Sequence, residues 1–364
     1  MRRIRLGKTG LEVNQLGFGG IPIQRLTVAR AVRVVQAAAD AGVDFFDTAR
    51  GYDDSEDKIG RALRAGSRRD RVVLASKCMT LDRAGMTRAI DESLKALRTD
   101  WIDLYQIHGI NSWEEFDQAA GPDGALAALL AARRQGKIRH LGVTSHSTRV
   151  LQRLLRAPPD WVETLQVPFN FVGDQACVRF LAPARRANLG FLAMKSLGGG
   201  VLERPDLALR YVLQFPDVVA LVGIEKLSEL KQNLRLAREA RPLDPVEQRT
   251  LTRLRDKLGR HFCRKCQYCH PCPSGIPIHV ALGAKTLLGR FNRRALAGPF
   301  RQLMRRAAAC TKCGVCETRC PYKLPIRRLM AENVALFRRG LRRLGIPWED
   351  AGITHPARAG RRAP

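Results

Sequence analysis

The 364-residue sequence contains no run of 18 apolar residues and no apolar stretch behind the basic residues near its start. A membrane-spanning helix needs about 20 mostly apolar residues, and a secretory leader needs an apolar segment after its basic start. Here Arg2, Arg3, Arg5 and Lys8 are followed by mixed sequence. The sequence therefore predicts a cytoplasmic protein without a membrane span.

Acidic residues are scarce, because 34 Asp and Glu stand against 63 Lys and Arg, and the imbalance is greatest near the C-terminus. Residues 250–364 hold 25 basic and 5 acidic residues. Aromatic residues make up only 6% of the sequence, and they do not alternate with the arginine pairs of this region as they do on surfaces that stack bases. Nucleic acid is thus disfavoured, whereas an acidic protein, an anionic membrane surface and solvated helix faces remain open.

Cysteine is nearly confined to two short runs, which hold eight of the ten cysteines. The second run has the C-x2-C-x2-C-x3-C-P spacing by which bacterial ferredoxins bind [4Fe-4S] clusters, with the fourth cysteine usually serving the neighbouring cluster. The first run differs by one residue, and Cys-Pro-x3-Pro-Ile closes both runs. The expected ligands are Cys263, Cys266, Cys269, Cys272, Cys310, Cys313, Cys316 and Cys320.

This internal repeat favours two related half-modules, each binding one [4Fe-4S] cluster. Two alternatives stay open at the level of sequence. Paired C-x2-C cysteines also suit tetrahedral zinc, and an oxidising compartment would permit a disulfide framework. The run of three evenly spaced cysteines before Cys-Pro is what zinc ribbons lack.

Short apolar strands alternate with amphipathic helices before residue 240, a pattern typical of a parallel sheet with crossover helices. Eight such units in about 240 residues predict a (β/α)8 TIM barrel, whose active site gathers at the C-terminal ends of the strands. The predicted strands cover residues 13–18, 43–48, 72–77, 102–108, 138–144, 164–169, 191–197 and 218–224. The predicted helices include residues 28–41, 86–97, 125–134 and 230–240.

The domain organisation follows from prolines and composition. We expect a hairpin over residues 3–13, a barrel over residues 1–241 and a linker over residues 242–249, where Pro242 and Pro245 interrupt a helix. Residues 250–343 are expected to form a small, mostly α-helical ferredoxin-like iron–sulfur domain. Residues 344–364 have little periodicity and are expected to form a loose basic tail.

Polar residues at the ends of consecutive predicted strands form a candidate acid and base set. Asp47, Lys77 and His108 occupy such ends, and Tyr52 lies in the loop beyond Asp47. A nearby ammonium favours phenolate, so Lys77, held by Asp47, is expected to lower the pKa of Tyr52. A neutral His108 could donate a hydrogen bond to a substrate carbonyl.

These residues lie in the segments DTARGYDDSE (47–56), SK (76–77) and IDLYQIH (102–108), through which the sequence resembles the aldo/keto reductase superfamily. The resemblance covers the whole barrel and is greatest to a bacterial branch with a C-terminal [4Fe-4S] ferredoxin-type extension. It implies that Tyr52 is the general acid of carbonyl reduction and that Lys77 and Asp47 tune it. It also implies that His108 orients the carbonyl over the nicotinamide.

The resemblance further implies a set of cofactor contacts. Those expected near the nicotinamide amide are Thr144, Ser145, Gln166 and Asn170. Those expected near the nicotinamide ring and the phosphates are Met194, Lys195 and Gly198, and those at the adenosine end are Gly223, Glu229 and Asn233.

Two positions depart from the family pattern. Met194 stands where many members stack a tyrosine on the nicotinamide, so a softer sulfur or aliphatic contact would replace it. Glu225 and Glu229 occupy the stretch where many members hold the 2'-phosphate of NADP with a cation. Carboxylates suit a ribose hydroxyl and repel a phosphate, so NADP is the family expectation and NAD is its rival.

Three functions are compatible with this sequence. The first is an NAD(P)H-dependent oxidoreductase that reduces a small aldehyde or ketone and carries iron–sulfur clusters. The second is an electron-transfer component that exchanges electrons with an external ferredoxin or flavoprotein, for which an acidic electron-carrier protein is the candidate partner. The third is a non-catalytic NAD(P)-sensing subunit. A nicotinamide gives two electrons and a [4Fe-4S] cluster takes one, and the sequence contains no flavin signature to connect them.

Overall fold

The computed structural model describes residues 1–259 and 261–349. Ten strands form a two-stranded hairpin and a closed barrel of eight parallel strands. The strands are β1 (Arg3–Arg5), β2 (Glu12–Asn14), β3 (Leu16–Gly19), β4 (Phe45–Asp47), β5 (Val73–Cys78), β6 (Ile102–Ile107), β7 (Ile138–Thr144), β8 (Thr164–Pro168), β9 (Gly190–Met194) and β10 (Val218–Gly223). Pairing of β10 with β3 closes the barrel, so the predicted TIM barrel is confirmed.

The antiparallel hairpin of β1 and β2 covers the N-terminal end of the barrel. Lys8 N donates to Asn188 O at 2.6 Å, just before β9 begins. Ile4 and Leu6 pack with Phe45 and Leu104, whose side chains belong to the same buried cluster. The predicted hairpin is confirmed, although Val13, assigned from sequence to the first barrel strand, belongs to β2.

Nine helices surround the barrel within the described residues. They are α1 (Val28–Asp40), α2 (Ser55–Arg64), α3 (Arg83–Leu97), α4 (Trp113–Ala120), α5 (Ala125–Arg134), α6 (Thr148–Arg156), α7 (Asp174–Arg186), α8 (Pro205–Leu213) and α9 (Leu227–Glu239). Side-chain caps fix several starts. Asp82 accepts from Gly85 N, and Ser112 and Glu115 form a capping box. The buried faces of the helices and the outward faces of the strands form the largest apolar core.

The predicted linker is corrected by a helix, α10 (Pro245–Gly259). Proline at the first helical position costs no hydrogen bond, and Asp244 caps the start by accepting from Val246 N and Glu247 N, both at 2.9 Å. The guanidinium of buried Arg210 on α8 pairs with Glu247. Leu251 packs in the barrel core. By packing, α10 therefore belongs to the barrel.

The remaining helices form a second unit with its own apolar core. They are α11 (Ile278–Ala281), α12 (Ala284–Arg290), α13 (Arg293–Ala297), α14 (Pro299–Ala308), α15 (Val315–Thr318) and α16 (Ile326–Arg343). Phe337 and Leu329 on α16 lie at the centre of this core. No helix in the described ranges is long and apolar enough to cross a membrane.

The first part of the predicted tail is also corrected. Residues 344–349 pack against the second unit: Ile346 is buried, Arg301 donates to Pro347 O at 3.0 Å, and Arg338 stacks over Trp348. The apolar Ile346 and Trp348 account for this contact. Residues 350–364, the rest of the predicted tail, lie outside the described residues.

Candidate active site

The four predicted catalytic residues meet at the C-terminal mouth of the barrel. Lys77 Nζ lies 2.7 and 2.8 Å from the two carboxylate oxygens of Asp47 and also donates to Thr48 O at 2.8 Å. The same ammonium lies 5.1 Å from the centre of the Tyr52 ring. The rings of Tyr52 and His108 are 5.8 Å apart and nearly perpendicular. Neighbouring strands β4, β5 and β6 thus bring the set together.

The expected effect of Lys77 on Tyr52 is corrected by the structure. Burial raises the pKa of Tyr52 well above its usual value of 10.0, and the charge of Asp47 raises it further. The ammonium of Lys77 contacts both carboxylate oxygens of Asp47. The opposite charge of Asp47 therefore largely cancels the effect of Lys77 on the phenol. The phenol therefore keeps its proton at neutral pH, as a proton donor must, and is a weaker acid than a free tyrosine.

His108 is held neutral. Burial lowers its pKa to about 3, assisted by the charges of Lys77 and Lys195. Its Nδ1 atom is buried and has no hydrogen-bond partner among the described residues. A neutral imidazole whose Nε2 carries the proton can donate one hydrogen bond to a carbonyl oxygen.

Buried polar residues fix the loop that carries Tyr52. Ser55 Oγ accepts from Thr48 Oγ1 at 2.9 Å and donates to Gly20 O at 2.9 Å. Lys58, only 1% exposed, donates to Ile23 O and to Asp54. Because buried charges survive only when they are paired, these residues hold the loop in a single position. The conspicuous polar sequence around Tyr52 thus has a structural role.

The side-chain amides expected near the nicotinamide lie beside the four predicted catalytic residues and form hydrogen bonds within the chain. Gln166 Nε2 donates to Asp47 Oδ2 at 3.3 Å, and Gln166 Oε1 accepts from Gln106 at 2.8 Å. Asn170 Nδ2 donates to Lys195 O at 3.1 Å. Thr144 Oγ1 accepts from Gly109 N at 2.7 Å and so positions the backbone next to His108.

The remaining expected contacts line the mouth from β7 to α9. Ser145 is fully buried and accepts from Ser147 N. Met194 is the last residue of β9, and partly exposed Lys195 follows it. Gly198 N donates to Lys195 O in the next turn. The adenosine-side residues are Gly223 at the end of β10, Glu229, which accepts from Glu225 N at 2.8 Å, and buried Asn233 on α9.

The second unit lies against this mouth, which sequence reasoning did not anticipate. The rings of His146 and His279 are 6.2 Å apart, and Arg149 stacks over Tyr268. Arg290 on α12 forms an ion pair of 3.2 Å with Glu225, which Arg25 also approaches. No sequence motif marks either arginine, since the contact joins segments far apart in the chain.

Electrostatic contacts place seven of the eight cysteines in two groups, each of which takes members from both runs. Burial, together with the charges of Cys263 and Cys320, raises the pKa of Cys266 to about 11 and that of Cys269 to about 12. Cys320, the last cysteine of the second run, thus lies with the first run. The pKa of Cys316 is likewise raised by burial and by nearby groups that include Cys310 and, from the first run, Cys272.

The backbone repeats with the sequence. Lys265 and Gln267 in the first run, and Lys312 and Gly314 in the second, all have positive φ. In each run the backbone amide two residues after the first cysteine donates to the sulfur of that cysteine at 3.4 Å. These bonds run from Lys265 N to Cys263 Sγ and from Lys312 N to Cys310 Sγ.

This donor set fits iron–sulfur clusters. Mutually repelling buried thiols become thiolates together only when a metal centre compensates them. In the described part of the chain, no three Cys, His, Asp or Glu side chains form a group that could hold a metal ion. The nine cysteines with described side chains are free.

Family comparisons agree with the two units. The aldo/keto reductase family model matches residues 15–206, and a 4Fe-4S dicluster domain model matches residues 262–325. The Bacillus subtilis aldo-keto reductase YhdN is 28% identical in an alignment of 219 residues that covers 56% of this chain and 64% of that protein. The chain thus spans just under two thirds of this relative. The 6-dehydroglucose reductase of Novosphingobium aromaticivorans is 31% identical over 56% of this chain and 71% of its own length.

Solved structures show the same barrel. An aldo-keto reductase from Klebsiella pneumoniae in complex with NADPH is 26% identical, with a TM-score of 0.60, over 70% of this chain and 94% of that protein. With its closed eight-stranded barrel and its matched family model, the chain belongs to the aldo/keto reductase family and carries a C-terminal 4Fe-4S dicluster domain.

Proposed function

We propose that the protein reduces an aldehyde or ketone with NADPH or NADH and that Tyr52 is the general acid. The observation that carries this proposal is the buried set of Asp47, Lys77, Tyr52 and His108 at three neighbouring strand ends. When bound, the reduced nicotinamide supplies the hydride. Tyr52 Oη gives its proton to the carbonyl oxygen, and neutral His108 holds that oxygen by a hydrogen bond.

Lys77 and Asp47 act by position in this proposal. Their ion pair is almost completely buried, at 1% and 5% side-chain exposure, and fixes the ammonium beneath the Tyr52 ring. We assign the dinucleotide to the barrel mouth. It would run from Thr144, Gln166 and Asn170 past residues 198–200, the glycine loop after β9, to the start of α9. Relatives crystallised with NADPH or NADP support this assignment.

The Tyr52→Phe variant tests the mechanism. We expect carbonyl reduction to fall by roughly two to four orders of magnitude, because positioned proton transfer contributes about that much. Dinucleotide affinity and iron content should be unchanged. Tyr105→Phe is a matched control, since it also removes one phenol hydroxyl. That hydroxyl lies away from the mouth, where its oxygen is 3.0 Å from Ser93 Oγ.

Undiminished turnover in Tyr52→Phe would refute the assigned acid. A wild-type protein that binds the dinucleotide but turns over no carbonyl in a broad panel would instead favour an NAD(P)-sensing subunit.

A second candidate function is electron transfer, which the placement of the cysteines favours. Cys266 of the first group lines a small cavity at the barrel mouth together with His146 and Asn170. In the second run Cys313 is exposed, and Cys310 lines a surface groove of about 450 Å³. The first cluster would therefore face the barrel, and the second would face solvent.

The groove beside Cys310 suits an acidic one-electron carrier. Its lining combines apolar residues of α16 with the basic residues Lys312, Arg327, Arg338, Arg339 and Arg342. Opposite charge steers association and makes it dependent on salt. The carrier would lose one electron and the outer cluster would gain it.

Stopped-flow reduction of the clusters by a reduced, acidic plant-type [2Fe-2S] ferredoxin tests this second function. We expect the bimolecular rate to fall with salt and to fall at least roughly tenfold in Arg339→Glu/Arg342→Glu. Arg253→Glu, an exposed change on α10, is the control. A rate independent of the groove charges would refute this docking site.

A further inference from the structure

Glu225, at the end of the last barrel strand, is bound by two arginines from distant parts of the chain. Arg290 Nη1 lies 3.2 Å from Glu225 Oε1, and Arg25 Nη1 lies 3.6 Å from the same oxygen. Arg25 closes the short 310 helix Pro22–Arg25 after β3, whereas Arg290 is the last residue of α12 in the dicluster domain. The two domains therefore share one charged cluster.

The same helix α12 forms a wall of the cleft next to the glycine loop after β9. Arg290 Nε donates to Gly199 O at 3.3 Å, and Arg25 Nη1 donates to Gly289 O. A Cβ atom added to Gly199 would lie 2.9 Å from the Thr286 side chain. The Arg290 guanidinium thus spans from the glycine loop to Glu225, along the path assigned above to the phosphates of the dinucleotide.

Two guanidinium groups share one carboxylate partner at this place. Glu229, which seemed from sequence to repel a phosphate, directs its carboxylate to Glu225 N at 2.8 Å. One carboxylate, that of Glu225, thus faces two guanidinium groups. The side chains of Arg290 and Arg25 remain 22% and 37% exposed. Each guanidinium has five N–H donors in a geometry that matches phosphate, so both can accept a second anionic partner.

Resting on the proposed function, we propose that Arg290 and Arg25 bind the 2'-phosphate of NADP, so that the dicluster domain completes the dinucleotide site and favours NADP over NAD. The barrel thereby supplies one of the two guanidinium groups, from Arg25, and the dicluster domain supplies the other, from Arg290. The partially exposed guanidinium pair is the recognition element, and the carboxylate of Glu225 competes with the phosphate for it.

Dinucleotide binding to full-length protein with its clusters in place tests the proposal. Titrations that follow NADPH and NADH fluorescence should show NADPH affinity falling roughly 10- to 100-fold in Arg290→Ala, the range for losing a charge-assisted pair with phosphate. NADH affinity should change by less than about threefold, because NADH has no 2'-phosphate. Lys285→Ala is the matched control, since Lys285 is an exposed cation on the same helix.

Other outcomes separate this proposal from the proposed function. Equal losses for NADPH and NADH, or no loss, would mean that Arg290 only fastens the domains and would overturn the proposal. Tighter binding in Arg290→Ala would show that the arginine blocks the cleft, with the same consequence. A wild-type protein that binds neither dinucleotide would overturn the proposed function as well.

A second variant guards against loss of folding in Arg290→Ala. Glu225→Gln keeps both guanidinium groups and removes the carboxylate that competes with the phosphate. We expect NADPH affinity to rise several-fold while iron content stays constant. Weaker NADPH binding with NADH binding unchanged would contradict the assignment.

Discussion

Tyr52 and His108 share one barrel mouth, yet burial shifts their protonation equilibria in opposite senses. It raises the pKa of Tyr52 well above 10.0 and lowers that of His108 to about 3. In each case burial disfavours the charged form, which is the phenolate of Tyr52 and the imidazolium of His108. Over a wide range of pH, both groups therefore keep the protonation state that the proposed carbonyl reduction would use.

This arrangement predicts the pH profile of reduction. Activity needs protonated Tyr52, which is lost only as pH rises through its raised pKa, and neutral His108, which is lost only as pH falls toward about 3. We expect kcat with saturating carbonyl to be flat from about pH 6 to about pH 9. A limb near neutrality that disappears in His108→Gln would contradict the burial argument.

At the scale of single elements, the hairpin that closes the N-terminal end of the barrel depends on one close backbone contact. A Cβ atom at Gly7 would lie 2.3 Å from Gly190 N and 2.5 Å from Asn188 O. Gly10, in the same turn, also has positive φ, but nothing lies within 4 Å of its added Cβ. A side chain at Gly10 would add only the cost of a left-handed backbone conformation. A side chain at Gly7 would add that cost and also a steric overlap with the strand.

Alanine at the two positions should therefore destabilise unequally. Gly10→Ala should lower the free energy of unfolding by about 1 kcal/mol, the penalty of a left-handed backbone conformation. Gly7→Ala should cost roughly 1–3 kcal/mol more, because the hairpin must move away from β9. Denaturant unfolding followed by tryptophan fluorescence measures both changes. Equal losses would show that the contact at Gly7 relaxes freely.

Element prediction succeeded where local pattern decides and failed where packing decides. All eight barrel strands were found, because each is a short apolar run between turn signals. The linker prediction failed at Pro245, since a proline that interrupts a helix is equally suited to begin one. The fixed conformation of residues 344–349 depends on Arg301 and Arg338, which are distant in sequence.

At the scale of the whole molecule, the crossing of the cysteine runs joins the two halves of the dicluster domain. Cys320 lies with Cys263 and Cys266, and Cys272 lies with Cys316. Each cluster would therefore take ligands from both runs, as the spacing rule for bacterial ferredoxins anticipates. Neither half could then fold around its cluster alone.

The crossing makes a prediction about cluster loss. Cys320→Ala and Cys263→Ala should remove the same EPR signal from dithionite-reduced protein, and Cys272→Ala and Cys310→Ala should remove the other. Iron analysis on anaerobically purified protein provides the control. If Cys320→Ala instead matched Cys310→Ala, each run would bind its own cluster and the crossing would be refuted.

The sequence by itself determined the barrel and the presence of a 4Fe-4S dicluster domain, and it predicted the residues of the candidate active site and the cluster ligands. Their signals are local: strand periodicity, polar residues at strand ends and cysteine spacing are all read within short stretches of chain. Only the tertiary structure decided the protonation of Tyr52, the crossing of the cysteine runs and the contact of Arg290 with Glu225. Burial and charge pairing depend on which distant segments come together, and no local pattern records that.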